Sequence, residues 1–524
     1  MHMQVRLNSG YAGTISQATG KTIIIETTGG WVQLAGTFLG GDSTITLNGS
    51  FTLAGGSFTS TTGTLAVKKN FTISGTPTFS ANNGLAQITA NSTMALGSIH
   101  FKAVTISTCG GTISLSAGTM NVDGTLTING GCGSQTLNSG TVMAYGDVNI
   151  SGNSTAGTAI VQVSGNASGQ TITGSAATTL TNLVISAGSN NVTLSGTVKV
   201  VNYTLTSVGT LITTGSTLQF AGGTVVPGAP HYDNVTIANC GSTVSLNAGT
   251  LSVDGTLTLA GSCGGQNINS GTIMAYGGVT ISGGSTSGSA MVQVAGNASG
   301  QTVTGTAGAT MSKLTIAAGS NTVTFSGTIQ LSSYSLVSVG SLMSSGSTLL
   351  FSGSGAIVPG TVHYNNVTFS TCAGVSDLSG GTFYIDGVLT LSGTACGSQS
   401  VNNGILKSFG DVLASGEGCG GTAQLQFAGS ANQTLTVSAG SLPTGNVTLV
   451  QTGGAVLNLA SAASWNNTGQ TVTVTSGGIN MAGNALTVKA LSLNSNTVTK
   501  GGGTLTVNGS VAGTGSLFGG TVNP

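Results

Sequence analysis

The nine residues 231–239 read HYDNVTIAN, and near copies recur at 100–108 (HFKAVTIST) and 363–371 (HYNNVTFST). The copies begin 131 and 132 residues apart. Each is followed by a TLTL-like segment and then by a GxV segment. Self-similarity at a fixed interval is typical of repeat architectures, in which each repeat packs mainly on its neighbours.

A finer period lies inside each long repeat, as V-x-I or L-x-I triplets about 22 residues apart. The triplets begin at Val104, Leu126 and Val148, at Val235, Leu257 and Val279, and at Val367, Leu389 and Val412, where the last step is 23. A short period nested in a longer one predicts a solenoid. We therefore predict an all-β, right-handed parallel β-helix (β-solenoid) with coils of about 22 residues nested in repeats of about 131 residues. Division of the two periods gives six coils per long repeat.

The composition agrees with this fold. Short alternating segments such as ISLS, LTIN and LTVN end at Gly or Asn, which tolerate the positive φ of turns. The chain has 88 glycines but only 6 prolines, and internal strands need their N–H groups for the neighbouring coil. An array of β-sandwich domains is the rival fold. It would suit a repeat of about 131 residues, but it does not explain the 22-residue step.

The repeats divide the chain into four segments of one continuous solenoid. Residues 1–99 form a degenerate first segment, 100–230 the first repeat, 231–362 the second, and 363–524 the third with divergent C-terminal coils. The first two repeats are close duplicates, as VQVSGNASGQTITG and VQVAGNASGQTVTG show.

Charge and hydropathy exclude several functions. The chain has 10 basic and 10 acidic residues and no net charge. Nucleic acid is therefore an unsuitable partner, because phosphate binding needs clustered cations. No apolar run reaches the roughly 18 residues of a membrane span. Residues 1–6 lack the apolar core of a signal peptide, so the chain is either cytosolic or a mature or recombinant piece of a longer secreted protein, and we favour the second reading.

The cysteines are spaced by about one coil. Cys109 and Cys132, and Cys240 and Cys263, are 23 residues apart, Cys372 and Cys396 are 24 apart, and Cys419 follows after 23 more. Stacked coils bring such residues within disulfide range, so we predict coil-to-coil disulfides. Cys396 can pair with Cys372 or with Cys419, which leaves one cysteine free. Stacked free thiols in a core are the alternative. No C-x-x-C pair favours zinc, and we predict no metal and no cofactor.

Two polar groups recur once per repeat. Asp123, Asp254 and Asp386 stand in VDG, VDG and IDG, and His100, His231 and His363 open the copies. The Asp-Gly pairs predict turns in which the carboxylate binds local backbone N–H groups. The histidines show no sequence partner that would make a catalytic triad, so we predict structural corners and no catalytic residues.

An aromatic residue also recurs once per repeat, at Tyr145, Tyr276 and Phe409. If these side chains point outward, they are surface residues able to stack on sugar rings or on a neighbouring fibre. If they point inward, they belong to the core. The sequence favours the inward position.

The order of the repeated phrases, NVTI, then VDGTLTL, then YGGVTISG, then VQVAGNASGQTVTG, resembles long repetitive bacterial surface and secreted proteins. These are adhesin-like or autotransporter-passenger-like β-helices. The resemblance covers most of the chain, but its motifs are of low complexity. It implies a secreted or cell-surface location and no particular activity.

From these observations we expect a non-enzymatic extracellular structural protein, a β-solenoid rod or filament. Neither terminus shows a clear cap, so end-to-end or lateral self-association is the expected partner interaction. The alternative is an adhesin or glycan-binding module, which would cluster aromatic and polar side chains on one outer face. An ice-binding protein or a polysaccharide-active β-helix enzyme is less favoured, because interrupted Thr columns and scattered charges suit neither.

Overall fold

The computed structural model describes residues 4–27, 29–239, 241–247, 249–261, 265–370, 374–393, 399–416, 419–518 and 520–521. Within them the chain is all-β, and its parallel strands stack as a β-solenoid of about 23 turns of roughly 22 residues. The predicted β-solenoid is confirmed. No helix of these residues is long and apolar enough to cross a bilayer.

The chain forms two compact units, Met1–Gly255 and Thr256–Pro524. In each unit a typical coil contains three short strands, and each strand pairs in parallel with the equivalent strand of the next coil. In the first unit, for example, Ala103–Ile106 pairs with Leu126–Gly130, which pairs with Val148–Gly152. Three columns of stacked strands result, and each column is one parallel sheet.

The first unit begins with Val5–Leu7, Thr14–Ser16 and Ile23–Ile25, and its strands before His100 have two to four residues or fewer than five in every case. Its remaining strands are His100–Phe101, Ala103–Ile106, Thr112–Ser114, Thr119–Val122, Leu126–Gly130, Gln135–Asn138, Thr141–Ala144, Val148–Gly152, Thr155–Ala156, Ile160–Val163, Gln170–Gly174, Thr179–Ser186, Val192–Ser207, Leu211–Ile212, Thr217–Phe220, Gly223–Val226, His231–Tyr232, Asn234–Ile237, Thr243–Leu246 and Thr250–Val253.

In the second unit, the strands of the coils discussed below are Leu257–Gly261, Val279–Gly283, Gln301–Gly305, Thr310–Ala317, Thr322–Ser338, Ser341–Met343, Thr348–Phe351, Gly355–Val358, His363–Tyr364, Asn366–Phe369, Val375–Asp377, Thr382–Ile385, Leu389–Gly393, Gln399–Asn402, Ile405–Ser408, Val412–Gly416 and Gln424–Phe427. The coils after Phe427 keep the same parallel stacking, as the pairing of Val447–Val450 with Thr471–Ser476 shows.

The triplet spacing read from the sequence is the register of the sheets. Val104 lies opposite Leu126, and Leu126 lies opposite Val148. In the second unit Leu389 lies opposite Val412, so the irregular 23-residue step is also one coil. The triplets stack because their alternate apolar side chains must all face the interior.

A long repeat contains six coils and one further strand, so the expectation of six coils is wrong by one strand. In the first unit, Ala103–Ile106 begins the column that continues through Leu126–Gly130. Its copy, Asn234–Ile237, pairs instead with Thr217–Phe220, which stands one column further around the coil. Equivalent residues of successive copies therefore lie on different sheets. The second unit shows the same shift between Leu257–Gly261 and Leu389–Gly393.

Buried glutamines join one coil to the next at matching points of the repeat. Each side-chain amide donates to two backbone carbonyls of the preceding coil. The bonds are Gln170 to Ala144 and Gly146 at 3.0 and 2.7 Å, Gln301 to Ala275 and Gly277 at 2.8 and 2.9 Å, and Gln433 to Ser408 and Gly410 at 3.0 and 2.7 Å. These carbonyls lie at bends between strands, so the amides satisfy acceptors that the sheets leave unpaired.

Two pairs of tyrosines are enclosed in the core. In the first unit the hydroxyls of Tyr203 and Tyr232 are 3.1 Å apart, and Tyr232 donates to the Pro227 carbonyl at 2.6 Å. Burial raises the pKa of both phenols above the ordinary value of 10.0, because the phenolate would lose its hydration. Tyr334 and Tyr364 form the equivalent pair in the second unit, with hydroxyls 3.2 Å apart.

Candidate functional site

Each long repeat carries a histidine and an aspartate that contact each other on the surface. The Nδ1 to Oδ1 distances are 2.7 Å for His100 and Asp123, 2.6 Å for His231 and Asp254, and 2.7 Å for His363 and Asp386. An ionised carboxylate only accepts hydrogen bonds, so Nδ1 carries the proton and Nε2 is left as the second polar atom of the ring. We call these three pairs the His–Asp corners.

The geometry of each corner follows from the strand register. His100 lies opposite Asn121 of the next coil, and Asp123 follows Asn121 by two positions, so its side chain is on the same side of the chain. Gly124 comes next because the backbone passes very close there: a Cβ at this position would lie 2.5 Å from the carbonyl oxygen of Lys102. The Asp-Gly pair thus marks a close approach between two coils.

The role predicted for the aspartates is therefore wrong in one respect. The Asp-Gly pairs do lie at bends, but each carboxylate binds a histidine of the preceding coil rather than local backbone N–H groups. The sequence contained a signal for this contact. Each aspartate follows its histidine by 23 residues, the same step as the first two cysteine pairs.

The recurrent aromatic side chains belong to the same surface. Tyr145, Tyr276 and Phe409 are half-buried rather than enclosed in the core, so the favoured inward position is wrong. Their strands are shifted in phase here, because the residue before each of them is the one that faces the interior. In the first unit the Tyr145 ring stacks on His100, with centroids 6.0 Å apart and planes 19° apart.

The third corner contains more rings and a cation. The His363 ring stacks on Tyr384 and on Phe409, with centroid distances of 5.2 Å and interplanar angles of 22° and 29°. The ammonium of Lys407 lies 5.6 Å from the centroid of each of these rings. Sequence analysis identified Phe409 and missed Tyr384 and Lys407, because neither residue recurs in the other copies.

The corners differ in the residues that surround the shared pair. Where the third corner has Tyr384 and Lys407, the first has Asn121 and Met143. The corresponding residues of the second repeat are Ser252 and Met274. The histidine, the aspartate and one aromatic ring are therefore common to the repeats, whereas the second ring and the cation are particular to the third.

A shallow depression adjoins two of the corners. In the first unit it has a volume of about 500 Å³ beside His231 and Asp254. In the second unit it has a volume of about 310 Å³ and is lined by Leu342, Ser344, Ser345, His363, Asn365 and Asp386. The Ser344 hydroxyl donates to the backbone carbonyl of His363 at 3.3 Å rather than to its ring. The pair thus offers hydrogen-bonding groups at a solvent-open surface.

Cys109 and Cys132 are at disulfide distance, with Cα atoms 4.9 Å apart. Both are exposed, on adjacent coils, so they lie outside the core. The predicted partners Cys240, Cys263, Cys372 and Cys396 lie outside the described residues, and so does the side chain of Cys419. Among the described residues, no group of three or more His, Cys, Asp or Glu side chains is arranged to hold a metal ion.

Comparison with protein-family models, curated proteins and solved structures gives no match for this chain. The class of the protein therefore rests on its own architecture. It is a β-solenoid repeat protein whose coils are joined by buried glutamines and by surface His–Asp corners.

Proposed function

We propose that this chain is a non-enzymatic extracellular structural protein, a rigid β-solenoid that serves as a surface fibre, stalk or matrix filament. The observation that carries the proposal is the use of polar side chains between coils. The Gln301 amide binds two carbonyls of the preceding coil, and the Asp386 carboxylate binds the histidine of the preceding coil. Groups that could perform chemistry elsewhere are here engaged in holding successive coils together.

The placement of the copies also favours a scaffold. In the first unit, the His100 and His231 segments lie in different columns, because the repeat exceeds six coils by one strand. A protein that reads one extended surface needs its recognition groups on one face. Copies that turn to different faces suit a structural element, in which each coil needs only its neighbours.

The exposed cysteine pair supports an extracellular location. A disulfide between Cys109 and Cys132 would persist in an oxidising compartment and be reduced in a cytosol. Neutral, hydroxyl-rich outer faces with few charges are compatible with a secreted filament, although they do not by themselves assign one.

Self-association through strand edges is the assembly that we propose. Within the described residues, the three first strands of the chain each pair with one strand, namely Trp31 to Gln33, Thr37 to Leu39, and Ile45 to Leu47. Their outer edges present backbone N–H and C=O groups to which a second copy can add a strand.

Electron microscopy of the purified protein over a range of concentrations tests this assembly. We expect filaments that lengthen with concentration, and we expect Ile24→Lys to shorten them, because a charge on an edge strand opposes strand addition. Val337→Lys is the matched control, since Val337 is also an exposed apolar strand residue but lies in the second unit. Monodisperse short particles at high concentration would contradict the filament proposal.

A further inference from the structure

The third corner forms a continuous surface of chemically distinct groups, which we call the third-repeat track: His363, Tyr384, Asp386, Lys407 and Phe409. The register places these side chains on three successive coils, since His363 lies opposite Tyr384 and Tyr384 lies opposite Lys407. The depression beside His363 extends the track to the preceding coil. Four coils at about 4.8 Å spacing give a length of about 14 Å.

The rings of the track are suited to a saccharide. Tyr384 and Phe409 are half-buried, so part of each ring is in contact with solvent. The face of an aromatic ring carries partial negative charge and attracts the polarised C–H groups of a sugar ring. The spacing of the coils is close to the advance of one sugar in an extended glycan, so successive sugars can meet equivalent positions along the track.

The charge of the track favours an acidic saccharide. The ion pairs within the described residues are the three His–Asp corners, so Lys407 has two ring contacts and no carboxylate partner there. The charge of Asp386 is already shared with His363. A ligand carboxylate can therefore pair with Lys407, in a charge-assisted hydrogen bond stronger than one to a hydroxyl.

The depression supplies neutral hydrogen-bonding groups at the other end. Its volume of about 310 Å³ is at the lower end of the range for small-molecule sites. Asn365 and Ser345 line it together with the exposed oxygen atoms of Asp386. Such groups suit the hydroxyls of a sugar.

We propose that the third-repeat track binds an extended acidic glycan, with a uronate carboxylate at Lys407, sugar rings on Tyr384 and Phe409, and hydroxyls at Asn365 and Asp386. This activity goes beyond the scaffold role and is independent of it. The track would be a single recognition site on one copy of the repeat, while the other copies keep the corner without the second ring and the cation.

Calorimetric titration of the full chain with hexagalacturonate tests the proposal, at a protein concentration below that of any assembly seen by microscopy. We expect saturable binding at one site per chain. Tyr384→Asn and Lys407→Met, which install the residues of the first repeat, should each weaken binding at least tenfold. Tyr145→Asn is the matched control, because it removes the aromatic ring of the first corner, and it should leave the affinity unchanged.

Cellohexaose serves as the neutral probe and should bind at least tenfold more weakly than hexagalacturonate. Absence of saturable hexagalacturonate binding would overturn the proposal. So would equal binding by Tyr384→Asn and Lys407→Met, provided that circular dichroism shows them folded, or equal affinity for the neutral hexamer. Filament formation is measured separately, so failure of either proposal leaves the other standing.

Discussion

The repeat places polar pairs in two different environments. The tyrosine and glutamine contacts are enclosed in the core, whereas the His–Asp corners are about half exposed. A buried polar group that loses its partner keeps the full cost of desolvation, while an exposed one regains water. The comparison teaches that the two sets of repeated residues have different uses. The buried set determines stability, and the exposed set is free to vary between copies, as the third corner does.

The exposed corner can stabilise the fold strongly only through a covalent bond. Replacing Cys109 and Cys132 by serine should lower the free energy of unfolding by about 3 kcal/mol, because the bond closes a loop of 23 residues in the unfolded chain. Chemical denaturation measures the change. Wild-type protein treated with a reductant should show the same loss. Equal stability of oxidised and reduced protein would contradict the prediction.

Breaking a buried glutamine contact should cost slightly less. Gln301→Ala leaves the carbonyls of Ala275 and Gly277 without their side-chain donor and opens a small cavity. We expect a loss of about 2 kcal/mol. Gln293→Ala is the matched control in the same unit, because Gln293 is half-exposed and its loss should change stability by less than about 0.5 kcal/mol. Amide hydrogen exchange of Thr272–Ala275 locates the effect, and equal losses in both variants would contradict it.

The buried tyrosines make stability sensitive to alkali. Burial raises the pKa of Tyr203 and Tyr232 above 10.0, so the folded state retains neutral phenols while the unfolded chain ionises. Stability from this source is complete below pH 10 and falls as the pH rises, by at most about 1.4 kcal/mol per pH unit and per tyrosine. Replacing both by phenylalanine should reduce the slope of stability against pH.

Phe220→Leu is the control for that experiment. Phe220 is buried beside Tyr203, with ring centroids 6.1 Å apart, but it has no ionisable group. It should lower stability equally at pH 8 and pH 11. Denaturation curves at the two values decide the matter, and an unchanged slope in the double phenylalanine variant would sink the prediction.

The smallest effect is expected at the exposed pairs. A double-mutant cycle with His100→Ala and Asp123→Ala should give a coupling energy of about 0.5 kcal/mol, because both side chains are about half exposed and water screens their interaction. The coupling should fall further in high salt. A coupling above about 2 kcal/mol would show that the exposed corner stabilises the fold as strongly as the buried contacts do.

The sequence predicted much of the architecture for a simple physical reason. In a parallel stack, side chains on equivalent strands must match, so the 22-residue triplets at Val104 and Leu126 report the coil directly. The pairing of Cys109 with Cys132 followed from the same step. The His100 and Asp123 contact could also have been found, because its spacing is that of the cysteines.

Other features depend on how coils are stacked rather than on periodicity. The extra strand in each repeat arises from long segments such as Val192–Ser207, which passes through all three columns without interruption. Tyr384 and Lys407 occur once, so no repeat pattern could mark them as neighbours of Phe409. The outward direction of Tyr145 depends on the strand phase at its bend.

The sequence by itself determined that this chain is a stack of parallel β-coils, since alternating apolar residues at a constant step have one way to be buried together. Only the tertiary structure decided which groups meet across the coils. That choice depends on register, on bends where glycine permits close approach, and on the column in which each copy of the repeat begins.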